Sequence, residues 1–213
     1  MPKFLPAIIY ENQKETKKEP IVDSHNSSFL LPFVKDAEYF SSSLESYNNF
    51  IKACERLVRN NDRYKKYISY LKNEVKLDHC QVFKGIDDED ATIEMHHGPI
   101  FTLYDYCAIM VEYFLVKGWK ITTYRIADAV LDEHAKNRIQ VVMLSTTAHQ
   151  EVHDRNIFIN VKQAWGDLNA FINKYGVAMG DEYKEKLNRY IERSRMYESN
   201  DFGIFELSKK LYK

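Results

Sequence analysis

The feature that most constrains this chain is the segment Leu103–Leu115. Leu103, Tyr106, Cys107, Met110, Val111, Phe114 and Leu115 recur at steps of three and four. Such a wide apolar arc on a helix must be covered on most sides. A membrane span is one way to do that. However, the run from Phe101 to Trp119 carries Asp105, Glu112 and Lys117, so a buried helix in a water-soluble core is the expectation. Thr102 and Asp105 stand where a capping box would start it, and Gly118 where a C-terminal cap would end it. A chain of 213 residues that is 45% hydrophobic can supply the surrounding core.

The same periodicities place the other elements. Ser42 to Glu45 fits a second capping box, followed by the apolar stripe Leu44, Tyr47, Ile51, Cys54 and Val58. Asn60-Asn61-Asp62 breaks that helix, and another is predicted over 62–75. Short strands are predicted at Cys80–Phe83, Thr92–His96 and Ile139–Leu144. Further helices are predicted at 123–136, around His149 and His153, and in two or three pieces after Val161. The fold class is therefore α+β, mostly helical, with a small strand-strand-helix core among helices. The chain divides into an N-terminal arm with loops (1–40), a helical region (41–76), a central unit with a helical insertion (77–160) and a C-terminal helical region (161–213).

Bulk charge excludes one class of function. Thirty Lys and Arg face thirty-one Asp and Glu, so binding to nucleic acid would need a local basic face. The three cysteines, Cys54, Cys80 and Cys107, lie far apart, which excludes a disulfide framework and a cysteine-rich zinc site. No export signal is visible, and a reducing cytoplasmic setting without membrane contact is expected.

The chemistry lies in the histidines. His149 and His153 are spaced i,i+4, on one helix face and within reach of one metal ion. Glu151 stands two places after His149 rather than one, so the zincin pattern fails, and the deaminase pattern lacks its P-C-x-x-C. His96 and His97 are adjacent at a predicted strand end, two residues after Glu94. His134 lies on the Ile126 and Val130 stripe, as a core histidine would.

Taken together, Glu94-Met95-His96-His97, the strand at Ile139, and His149-x-x-x-His153 resemble the HNH, or ββα-metal, endonucleases, in the histidine-rich form of colicin DNases. That pattern has an Asn nine residues before the third His, and this chain has Gln140 there. Gln140 also follows His97 at an interval of 43 residues, an insertion. Ser145 and Ala148 stand where some members carry the second of two CxxC pairs, so that structural zinc is not expected. The helical sequence after the motif is similar to the segment C-terminal to such domains in phage proteins.

The resemblance implies metal-dependent phosphodiester hydrolysis in DNA, in the host cytoplasm if phage-encoded. His96, His149 and His153 would hold one divalent ion, with His97 as general base, Gln140 as the brace of its loop and Glu94 as support for a ligand. All-imidazole ligation suits Zn²⁺, Mn²⁺ or Ni²⁺ better than Mg²⁺. The expected backbone-binding surface comprises Arg56, Arg59, Arg63, Lys65 and Lys66, with Tyr64, Tyr67 and Tyr70 interleaved. RNA is the alternative substrate. A module that binds nucleic acid, a protein partner or a second copy without cutting is the alternative function, which the Gln at position 140 favours. The acidic loop Asp87–Asp90 precedes the motif without an assigned role.

Overall fold

The computed structural model describes residues 34–198. Most of the expected N-terminal arm therefore lies outside the described residues. Within it, residues 37–40, expected as loop, begin a helix that runs Ala37–Ser42.

Eight α-helices and two strands succeed one another among the described residues: α1 (Ala37–Ser42), α2 (Leu44–Asn60), α3 (Asp62–Asn73), β1 (Ile93–His97), α4 (Leu103–Val116), α5 (Thr123–Ala135), β2 (Val141–Ser145), α6 (Thr146–His153), α7 (Leu168–Tyr175) and α8 (Asp181–Glu198). The mostly helical α+β class is as expected.

The helix boundaries reflect capping chemistry. Ser43 Oγ accepts from Ser46 N–H at the start of α2, so the cap is one residue beyond the expected Ser42. Asn61 ends α2 and its Oδ1 accepts from Arg63 N–H to begin α3. Thr102 and Asp105 close the capping box predicted for α4. That helix buries eight residues on nearly all sides, with Cys107, Ala108, Ile109 and Met110 fully enclosed. Its Glu112 reaches outward to accept from Gly180 N–H at 2.9 Å. Helices α2, α4 and α5 pack on one another, and their buried residues form one core with those of β2, α7 and Tyr183 of α8. The regions read as separate in the sequence thus share their interior.

Strands β1 and β2 pair antiparallel, with Ile93 opposite Ser145 and His97 opposite Val141. All five β2 residues are buried. In β1, Ile93, Met95 and His97 face the core, while Glu94 and His96 alternate outward. Ser145 caps α6 directly after β2, its Oγ accepting from Ala148 N–H at 3.3 Å, so strand and helix join without a loop. On its free edge, Val141 exchanges backbone hydrogen bonds with Trp165. The close approach behind it requires Gly166: at φ +118° an added Cβ would lie 2.3 Å from the Ile139 carbonyl oxygen. Cys80–Phe83, expected as a strand, is a turn that docks on β2 through Gln81, whose N–H donates to Met143 O and whose Oε1 accepts from Met143 N–H. A side-chain hydrogen bond replaces the second rung of a ladder there.

Candidate metal centre

Strand alternation and helix periodicity bring three imidazoles together. His96 projects from the outer face of β1, and His149 and His153 from one face of α6. Their ring centroids lie 5.0 Å (His96–His149), 5.3 Å (His96–His153) and 4.7 Å (His149–His153) apart. One ligating atom from each falls within 4.8 Å of the others. His96 and His149 are half-buried and His153 is exposed, so the cluster opens to solvent on one side.

The proton arrangement suits a cation. Glu94 Oε2 accepts from His149 Nδ1 at 2.6 Å, which leaves the lone pair on His149 Nε2. That Nε2 stands 3.1 Å from His153 Nε2. Two nitrogens bound tetrahedrally at about 2.0–2.1 Å would stand roughly 3.3 Å apart. The donor set therefore fits a borderline ion such as Zn²⁺, Ni²⁺ or Mn²⁺. Burial, and after it the electrostatic influence of the neighbouring His149, His153 and Arg59, pushes the His96 imidazole down to about 4 and so keeps it neutral. Gly98 packs closely behind the strand end, and a Cβ there would lie 3.1 Å from His96 Nε2.

His97 is not brought to this cluster. Its ring turns into the core and is only 5% exposed. Its Nε2 lies 3.0 Å from His134 Nε2, and Tyr64 stacks on it with ring centroids 5.9 Å apart. Burial and the neighbouring His134 hold the His97 imidazole well below its usual range. His134 Nδ1 donates to Val130 O at 2.9 Å, so His134 Nε2 carries the lone pair and His97 Nε2 the proton. His97 Nδ1 is then the basic nitrogen. The partner of His97 is thus His134 of α5. The sequence signal for it was His134's place on the Ile126 and Val130 stripe, read as core, without the pairing.

Gln140, expected as a side-chain brace, acts through its backbone. Its N–H donates to Tyr106 Oη at 3.0 Å and its carbonyl accepts from Gly98 N–H at 3.3 Å. Its side-chain Oε1 is buried without a hydrogen-bond partner among the described residues.

The basic residues divide. Arg63 is held by Asp128 (2.7 Å) and Asp132 (2.5 Å) of α5, and Lys65 by Asp62 (3.3 Å). Arg59 lies 3.7 Å from Glu55 and is half exposed. Arg56 and Lys66 are exposed and make no ion pair among the described residues. Tyr64 and Tyr67 are core residues rather than a stacking surface, and Tyr70 is 40% exposed. Asp88 of the acidic loop pairs with Lys72 at 2.8 Å. No helix among the described residues is long and apolar enough to cross a membrane.

The family described as Bacteriophage G278-like virion protein matches residues 3–207, and the chain belongs to that family, which places it with the phages. No curated protein matches it, and no solved structure does.

Proposed function

We propose that this phage virion-family protein is a metal-dependent phosphodiesterase of HNH type that hydrolyses DNA. The observation that carries the reading is the convergence of His96, His149 and His153, with Glu94 fixing the tautomer of His149. A divalent ion held by these rings would supply Lewis-acid stabilisation of charge developing on a phosphate oxygen and on the leaving oxygen. The exposed side, at His153, is where a backbone phosphate would enter. Arg56, Arg59 and Lys66 are the side chains available to hold neighbouring phosphates. For His97 to serve as base, its Nδ1, with the proton placed on Nε2 by His134, would have to take the proton of the attacking water.

The second reading rests on a specific observation. At 5% exposure, His97 presents almost no surface to solvent. A metal that staples α6 to β1 in a virion component, without cleavage, accounts for that burial as well.

Supercoiled plasmid with Mg²⁺, Mn²⁺, Ni²⁺ or Zn²⁺ in turn separates the two. The phosphodiesterase reading expects nicking by wild type and loss of it in His149→Ala. Absence of cleavage of single- or double-stranded DNA and of RNA with all four ions, in protein that binds metal, overturns it in favour of the stapled module.

A further inference from the structure

Helix α5 has two faces with different tasks. Ile126, Val130 and His134 point into the core, and the opposite face, Arg125 to Lys136, lines a cavity of about 260 Å³ with α4 and α7. A dry cavity of about 150 Å³ is enough for a benzene ring, so this one has room for a fused planar ring system. Its wall is aromatic. Trp119 sets its ring edge-to-face on Tyr113 and Phe114, and Tyr113 does the same with Tyr175. Trp119 nevertheless stays 47% exposed.

The charges around the cavity are unequally committed. Its three carboxylates are satisfied within the protein. Asp128 and Asp132 pair with Arg63, and the buried Glu133 takes Lys174 (2.7 Å), Tyr175 Oη (2.8 Å) and Arg138 (3.3 Å). Two lining cations are not. Arg125 stacks over Phe114 and donates to Lys120 O, with no carboxylate partner among the described residues. Lys136 approaches Glu133 only to 3.9 Å, and that carboxylate is already occupied. An exposed indole beside two available cations is complementary to a flat ring joined to an anion.

We propose that this cavity is a nucleotide-binding site, taking a base against Trp119 and its phosphate on Arg125 and Lys136. The site involves none of the clustered histidines and stands or falls apart from the proposed hydrolysis. A free nucleotide and one unit of a single strand offer the same chemistry, and the experiment distinguishes them.

The test monitors the indole N–H resonances by NMR. The chain has two tryptophans, Trp119 and Trp165; Trp165 does not line the cavity and its Nε1–H donates to Asn137 Oδ1, so it reports on folding. Deoxyadenosine monophosphate should shift the Trp119 signal and leave Trp165 in place. Arg125→Gln removes a charge-assisted hydrogen bond to the phosphate, so it should weaken the nucleotide ~10-fold or more and leave deoxyadenosine unchanged. Trp119→Leu should abolish binding of both with Trp165 unmoved. His149→Ala should bind like wild type. Tighter binding of an oligothymidylate octamer than of thymidine monophosphate identifies the single strand as ligand, and equal binding identifies the free nucleotide. No Trp119 shift at millimolar nucleotide overturns the proposal. So does an unaltered affinity in Arg125→Gln, or inorganic phosphate that competes as well as the nucleotide binds.

Discussion

Glu94→Gln isolates the support of the proposed metal centre from the centre itself. Glutamine keeps the shape and an acceptor oxygen opposite His149 Nδ1, 2.6 Å away, but removes the charge. In metal-free protein the effect should be small. The pair is partly exposed, 44% at Glu94 and 23% at His149, and such pairs contribute about 0–1 kcal/mol. With metal the effect should be larger, because a carboxylate behind a ligating imidazole typically accounts for about 10–100-fold in affinity, or about 1.4–2.7 kcal/mol. Zinc at ~100 times the wild-type Kd should stabilise wild type by about 2.7 kcal/mol. For a chain of this size that raises Tm by about 5–11 °C. A variant weakened ~100-fold should gain about 0.4 kcal/mol, a rise of about 1 °C. Competition with a chromophoric chelator measures the affinity, and thermal unfolding with and without zinc measures the gain. Equal zinc affinity and equal Tm gain in wild type and Glu94→Gln would reduce Glu94 to a surface carboxylate. No gain in either would remove the metal centre.

Other predictions concern the neighbouring residues. His97→Ala should lower stability by about 2–4 kcal/mol in urea unfolding, because it opens a cavity and leaves His134 Nε2 buried without its donor; a loss under about 0.5 kcal/mol would show that the pair does not form. Gly98→Ala should weaken metal binding without unfolding the apo protein, since the new methyl lies 3.1 Å from His96 Nε2; chelator competition reads this directly, and unchanged affinity counts against it. Stability should also depend on acid. Burial depresses His134 to about 4 when folded against ~6.5 unfolded, so the unfolded chain binds the proton first and stability is lost as pH falls from ~6.5 toward 4. Metal-free wild type should thus be about 2 kcal/mol less stable at pH 5 than at pH 7, with His96 and His97 adding to the loss. A flat profile would mean that His134 is not held neutral in the core.

Local patterns carried much of this molecule. The periodicity of 103–115 specified a helix that had to be enclosed, and Thr102 and Asp105 marked its first turn. The i,i+4 spacing of His149 and His153 placed both rings on one helix face, and alternation placed Glu94 with His96. Each of these is a short-range consequence of 3.6- and 2-residue repeats, so the residues themselves determined them. The fold decided what lies across from them. That His97 meets His134 from 37 residues away, that Arg63 is taken up by Asp128 and Asp132, and that Tyr64 and Tyr67 serve the core all depend on α5 packing against α2 and α3. No period in the chain encodes such pairings. They arise because burying the α5 stripe against two other helices leaves each polar group there only the partners that packing brings within hydrogen-bonding distance.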